Sequence, residues 1–219
     1  MEVGTRRALL KAGLKTMAAT AGLLAAPRVV GQGTLIGETR FAPSTVPRRS
    51  NPVRPVLLAA AMAALKAHGD AVKHDRIAIA DFAAPSSQPR FHLLDVKSGM
   101  ARPLLVAHGT GSDPDHSGWL QRFSNDFDSN ATCEGAFVTT EFFEGEHGSA
   151  LRLIGLDPTN SNAMDRAIIV HGAWYANPDM LFKWGKLGRS NGCFAVGEAV
   201  LADVLLHLGV GRMIYSAKI

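Results

Sequence analysis

The chain has 219 residues but only two cysteines, Cys133 and Cys193, which excludes a small fold held together by several disulfide bonds. Long apolar runs are also scarce: the uncharged stretch from Thr16 to Pro27 is too short to cross a bilayer, so no stable membrane span is predicted. No internal repeat is evident, which argues against a solenoid or propeller. With 47% hydrophobic residues, the chain can bury the core of one ordinary globular domain.

Most of the chain carries no net charge. The formal net charge is +4, but residues 1–32 contain five basic residues and one acidic residue and therefore account for all of it. The remaining residues hold 18 basic and 18 acidic side chains. The sequence therefore predicts no nucleic-acid partner, because binding to phosphates requires a basic surface.

Residues 1–32 have the order of parts of an export signal. A basic start precedes the apolar segment Met17–Ala26, and small residues follow. Thr5-Arg6-Arg7 followed by leucines resembles a twin-arginine signal of bacteria. An uncleaved amphipathic helix is the alternative, since Lys11 and Lys15 would share one face. We predict an exported, periplasmic protein.

Residues 33–50 are predicted to be a linker, and residues 51–219 a single domain. A helix is expected over 51–69, with Ser50 or Asn51 as its N-cap, Pro52 in its first turn and apolar residues at 58, 62 and 65. The remainder, 76–219, is β-rich. Strands are predicted at 76–82, 90–96, 102–107, 136–143, 150–156, 167–171 and 212–217, and helices at 179–184 and 198–207. The fold class is α+β, mainly β.

Two residues carry the predicted chemistry, His171 and Cys193. His171 ends an apolar strand, and Cys193 lies in the tight turn Ser190-Asn191-Gly192-Cys193, where Gly192 leaves room beside the sulfur. A neighbouring imidazole can take the proton of a thiol and make it a nucleophile. Arg189 would favour the thiolate if its guanidinium faces the sulfur, as would a helix starting directly after the turn. The backbone amides of the turn suit an oxyanion hole.

Five motifs in order carry a resemblance to a known family. They are LLVAHGTGS, RFSND, EGEHGSALRLIGLD, IIVHGAWY and GRSNGC, between residues 104 and 193. Together they resemble the murein L,D-transpeptidase catalytic-domain family, cysteine enzymes that rebuild the peptide crosslinks of the bacterial cell wall. The resemblance implies an L,D-transpeptidase-like β-sandwich or barrel with a few helices, no cofactor, and peptidoglycan peptide stems as partner.

The same resemblance implies roles for individual residues. Cys193 corresponds to the nucleophile, His171 to the base and Ser190 to the serine of the signature. Gly192, Asn191, Arg189, Gly172 and His147 are candidates for binding substrate or the oxyanion. The implied reaction attacks the carbonyl of the third stem residue, releases the terminal D-alanine and passes the acyl group to an amine of a second stem.

Three alternatives remain open at this stage. Phe194 stands where many relatives have proline, and Asn191 where the wider superfamily often has histidine, so water could replace the amine and give an L,D-carboxypeptidase or endopeptidase. A catalytically inactive peptidoglycan-binding module would keep the fold. A zinc amidase would need His108, His147, His171 and Cys193 to converge, although their spacing matches no compact ligand motif. Cys133 is expected to be free and buried, because a permanent disulfide would silence Cys193; a reversible regulatory disulfide is the alternative.

Overall fold

The structure is a computed structural model that describes residues 51–146 and 148–219. The predicted export signal (1–32) and linker (33–50) therefore lie outside the described residues. The described residues form three α-helices, α1 (Pro55–His68), α2 (Asp179–Trp184) and α3 (Glu198–Leu208), and eight β-strands. The eight strands are β1 (Lys73–Asp81), β2 (Phe91–Asp95), β3 (Ala101–Leu104), β4 (Gly135–Gly145), β5 (Gly148–Gly155), β6 (Ile169–Gly172), β7 (Phe194–Val196) and β8 (Arg212–Ala217).

All eight strands belong to one mixed sheet. Its order is β3-β2-β1-β8-β4-β5-β6-β7; β1 pairs with β8, and β6 with β7, in parallel, and the other pairs are antiparallel. Residues just after β3 return to the opposite edge, where Ala107 bridges to Ala195 and Gly109 bridges to Ser190. The two edges of the sheet are thereby brought together in a barrel-like closure. The predicted α+β, mainly β fold is confirmed.

Alternation along the central strand β1 explains why the sheet is covered on both faces. Ile77 and Ile79 pack with the buried face of α1, whereas Ala78 and Ala80 belong to the larger cluster between the sheet and α3. Because successive side chains of a strand point to opposite faces, four consecutive apolar residues can serve two cores.

Helix α1 was predicted correctly in kind, but its start and its buried face differ from the prediction. Arg54, not Ser50 or Asn51, precedes the first turn, and Pro55 occupies the position expected for Pro52. The fully buried residues are Leu57, Ala61 and Leu65, whereas the residues at 58 and 62 are only partly buried. Ser50 lies outside the described residues. Proline has no N–H to lose at the start of a helix, so Pro55 sets the true beginning.

The predicted passage from the Cys193 turn directly into a helix is wrong. The three residues after Cys193 form β7, and α3 begins only at Glu198. The sulfur therefore does not lie at the positive end of α3, and the expected help from the helix dipole falls away because that effect fades within one turn. Within the described parts of the chain, no helix is both long and apolar enough to cross a membrane.

Candidate active site

Parallel pairing of β6 with β7 brings the two candidate catalytic residues to one cleft. His171 pairs with Ala195, and Cys193 immediately precedes β7 on the neighbouring strand. Both side chains line a cleft of about 510 Å³. Two residues that are 22 positions apart in the chain thus lie on neighbouring strands, whose backbones are about 4.8 Å apart, with Cys193 two positions before the residue opposite His171.

Hydrogen bonds within the turn place Cys193. The hydroxyl of Ser190 donates to the carbonyl oxygen of Cys193 at 2.8 Å and accepts from the backbone N–H of Gly192 at 3.2 Å. Gly192 has φ +115°, and a Cβ there would lie 2.7 Å from both the carbonyl oxygen of Ala131 and Cδ1 of Ile168. Only glycine fits this conformation and this close approach. Ser190, itself 4% exposed, closes the turn.

Cys193 as a whole residue is half-buried and lines the cleft. Burial raises its pKa above the ordinary value, while the backbone amide of Ile169 and the charge of Arg166 act in the opposite direction. Its S–H reaches the carbonyl oxygen of Ala167 at 3.6 Å. The resting group is therefore a neutral thiol at neutral pH, and it needs a base before it can attack.

A hydrogen bond to the backbone determines which ring nitrogen of His171 carries the hydrogen. Its side chain is almost completely buried, and Nδ1 lies 2.9 Å from the carbonyl oxygen of Gly172. A carbonyl oxygen only accepts, so Nδ1 carries the hydrogen and donates it. In the neutral ring this leaves the lone pair on Nε2, the form that a general base requires.

Arg189 was expected to favour the thiolate only if its guanidinium faces the sulfur, and its hydrogen bonds point elsewhere. Its guanidinium donates to the carbonyl oxygens of Asp113 and Pro114, the latter at 3.0 Å, although the residue lines the cleft. The cation whose charge lowers the pKa of Cys193 is instead Arg166, which the sequence analysis missed. Its position three residues before the buried strand β6, which carries His171, is the signal that could have identified it.

The remaining predicted residues divide into those at the cleft and those beside it. Asn191 is exposed and lines the cleft, whereas Gly172 supplies the carbonyl that holds His171. Tyr175 also lines the cleft, and burial raises its pKa to about 12. Trp174 contacts Tyr175 edge-to-face at 5.8 Å but stays outside the lining. His147 lies outside the described residues.

A buried polar network supports the turn from below. Nη2 of Arg90 lies 2.7 Å from Nδ1 of His108, and Nε2 of His108 lies 3.3 Å from the carboxylate of Asp113. Arginine only donates, so Nδ1 of His108 accepts and Nε2 carries the hydrogen. Burial, aided by the charge of Arg90, lowers the pKa of His108 to about 4. The carbonyl of His108 accepts from the backbone N–H of Ser190 at 2.9 Å, which ties the network to the turn.

Cys133 is free and fully buried, as predicted. Its sulfur accepts a hydrogen bond from Nη1 of Arg166 at 2.8 Å, and burial raises its pKa. Among residues 51–146 and 148–219, no group of three or more histidine, cysteine, aspartate or glutamate side chains is arranged to hold a metal ion.

A thiol and an imidazole that share a cleft are the groups from which cysteine acyl-transfer enzymes are built. A sequence profile described as L,D-transpeptidase catalytic domain matches residues 50–216 of this chain. The match covers well over half of the chain, and the protein therefore belongs to this family. No curated protein matches the chain.

Several solved structures resemble the fold at low identity. An L,D-transpeptidase from Mycobacterium smegmatis is 15% identical with a TM-score of 0.40, over 65% of this chain and 58% of that chain. One from Mycobacterium tuberculosis H37Rv is 14% identical with a TM-score of 0.39, over 66% and 58%. The helical cell shape determining protein Pgp2 of Campylobacter jejuni is 13% identical with a TM-score of 0.41, over 70% and 53%. The matched region thus spans little more than half the length of these proteins.

Proposed function

We propose that this protein is an exported peptidoglycan L,D-transpeptidase that works through an acyl-enzyme on Cys193. The observation that supports this most directly is the shared cleft of Cys193 and His171, with Nδ1 of His171 committed to the carbonyl of Gly172. Membership of the L,D-transpeptidase catalytic domain family supports the choice of substrate, a peptide stem of the cell wall.

The proposed first half-reaction forms a thioester. Nε2 of His171 takes the thiol proton of Cys193 as the sulfur attacks the carbonyl carbon of the third stem residue. The C–N bond to the terminal D-alanine then breaks, and His171 returns the proton to the departing amine. The N–H of Gly192 already donates to Ser190, so we assign stabilisation of the oxyanion to the backbone amide of Cys193 itself.

The second half-reaction releases the thioester to an amine of another stem. His171 takes a proton from that amine as the amine nitrogen attacks the carbonyl carbon. The C–S bond then breaks, and His171 returns the proton to the sulfur, which restores the thiol of Cys193. The products are a new amide crosslink and free D-alanine. Water in place of the amine would give a trimmed stem from the same acyl-enzyme.

The charge of the cleft fits an anionic peptide. Arg152 is paired with Glu141 at 2.7 Å, but Arg166 and Arg189 hydrogen-bond to neutral acceptors among the described residues. Glu146 is the acidic residue of the lining. The excess positive charge would attract the carboxylates of a peptide stem.

The test is incubation of the purified protein with disaccharide tetrapeptides, followed by mass spectrometry of both the products and the intact protein. Transfer gives crosslinked dimers together with a protein adduct equal to the stem minus D-alanine, carried on Cys193. Cys193→Ala should lose the adduct and every product. Trimmed monomers without dimers would show that the protein is a hydrolase and not a transpeptidase. Products that persist in Cys193→Ala would refute the assignment of Cys193 as the nucleophile.

A further inference from the structure

Arg166 donates more hydrogen bonds than the other arginines of the cleft lining, and the proton and acyl transfers proposed above give it no part. It lies in the turn between Ser161 and Ala167 that leads into β6. Nη1 donates to the carbonyl oxygen of Ser124 and to the sulfur of Cys133, both at 2.8 Å. Nη2 donates to the hydroxyl of Ser129 at 3.1 Å and to the carbonyl oxygen of Ala131 at 2.6 Å.

These four bonds use all the hydrogens on Nη1 and Nη2, so this end of the guanidinium is committed to the protein rather than to a ligand. All four acceptors belong to one segment, residues 124–133. The carbonyl of Ala131, which accepts the shortest of the four bonds, is also the atom against which Gly192 packs. Arg166 therefore fixes the carbonyl group of Ala131, and that carbonyl group packs against the backbone of Gly192, the residue before Cys193.

We propose that Arg166 is a positioning residue for the nucleophile: it clamps the segment 124–133 against Gly192 and supplies the positive charge that assists formation of the Cys193 thiolate. The clamp is neutral on its acceptor side, because the partners are three oxygens without charge and a thiol. Its positive charge is therefore not cancelled by a carboxylate and remains effective at the sulfur.

The other charged or titratable groups at the cleft do not replace it. Arg189 is held by two carbonyl groups of the 113–114 loop, and Arg152 is paired with Glu141 and stacked 4.6 Å from the ring centre of Phe143. The remaining groups are His171, Tyr175 and Glu146. Of these, Glu146 is acidic and supplies no positive charge, and burial raises the pKa of Tyr175 to about 12, so its hydroxyl is neutral at neutral pH.

The inference rests on the proposed role of Cys193 as nucleophile, but it is tested without turnover. The rate of alkylation of Cys193 by iodoacetamide is measured against pH, with the labelled peptide quantified after digestion so that Cys133 does not interfere. Arg166→Gln removes the charge and, because its amide nitrogen ends where Nε of arginine lies, also the donors of Nη1 and Nη2. Arg166→Lys keeps the charge but loses the fork that holds four acceptors.

Arg166→Gln should move the midpoint of the alkylation profile upward by about one pH unit, and Arg166→Lys should leave it close to that of the parent. Arg102→Met is the matched control for loss of one positive charge, because Arg102 pairs with Asp203 on the exposed face between β3 and α3. It should not move the midpoint. Thermal unfolding of each variant establishes that it is folded under the conditions of the alkylation experiment.

The outcome that overturns the proposal is an unshifted midpoint in folded Arg166→Gln, or an equal shift in Arg102→Met. A purely structural arginine would lower the melting temperature without moving the midpoint. With tetrapeptide substrate, Arg166→Gln should lose roughly tenfold in kcat/KM at neutral pH, and the loss should shrink as pH rises past the midpoint. A shifted midpoint without any transpeptidation would leave the role of Arg166 standing and refute the proposed function instead.

Discussion

Substitution of Gly192 by alanine tests the construction of the nucleophile turn most directly. With φ +115°, a residue with a side chain is strained by about 1–2 kcal/mol. The new Cβ would also lie 2.7 Å from a carbonyl oxygen and 2.7 Å from a methyl group, and overpacking of this kind costs about 1–3 kcal/mol. We therefore expect Gly192→Ala to be destabilised by about 2–5 kcal/mol in total.

Gly185 provides the matched control, because it has φ +70° and a Cβ there would meet no atom within 4 Å. Gly185→Ala should therefore show the conformational strain alone, about 1–2 kcal/mol. For a domain of this size 1 kcal/mol lowers Tm by about 2–4 °C, so thermal unfolding separates the two variants. Gly192→Ala should also alkylate at Cys193 at an altered rate. Equal losses of Tm in both variants would refute the claim that the two contacts make this position special.

Three further predictions concern charges. Arg90→Met should lower the free energy of unfolding by about 3–5 kcal/mol, because it removes the hydrogen-bond partner of His108 inside the core. Arg102→Met should change it by less than about 1 kcal/mol, because the ion pair of Arg102 with Asp203 is exposed. Urea unfolding measures both variants, and similar losses would contradict the buried network. The pKa of His108 is about 4 in the folded protein and about 6.5 in the unfolded chain, so the contribution of His108 to stability is present above pH 6.5 and is lost as pH falls towards 4. His108→Gln should therefore flatten the pH dependence of the urea midpoint in this range. An unchanged slope in the variant would contradict the lowered pKa of His108. Burial raises the pKa of Cys193, so the pH midpoint of its alkylation should be higher in the folded protein than in the unfolded chain. A lower midpoint in the folded protein would contradict the resting neutral thiol.

Periodicity and turn residues in the sequence predicted most of the regular elements. Strands β1, β2, β3, β4, β5, β6 and β8 overlap their predicted ranges, and α2 begins and ends where expected. The missed strand was β7, because three apolar residues between a glycine turn and a helix carry too little pattern to be recognised. Its pairing with β6 depends on residues more than 20 positions away.

The candidate site divides in the same way. Cys193, His171, Ser190 and Gly192 could be proposed from the sequence because their residue types are chemically distinctive and lie in recognisable motifs. The sequence offered Arg189 as a charge for the sulfur on the condition that it faces Cys193, whereas the charge that acts on the pKa of Cys193 is that of Arg166, because the direction of a long flexible side chain is decided by its tertiary partners. The dipole of α3 was likewise assigned to the site in error, since only the structure shows that β7 intervenes.

By itself the sequence determined the chemistry available to this protein: one thiol in a glycine turn, one histidine at the end of a buried strand, and a mainly β core with few helices. It also determined that Gly192 would be needed, since no other residue adopts such a turn without strain. Tertiary structure alone decided which groups meet. Parallel pairing of two short strands brings Cys193 and His171 to one cleft, and the clamp of Arg166 on a distant segment decides which positive charge acts on the sulfur. Such contacts join residues far apart in the chain, so no local pattern encodes them.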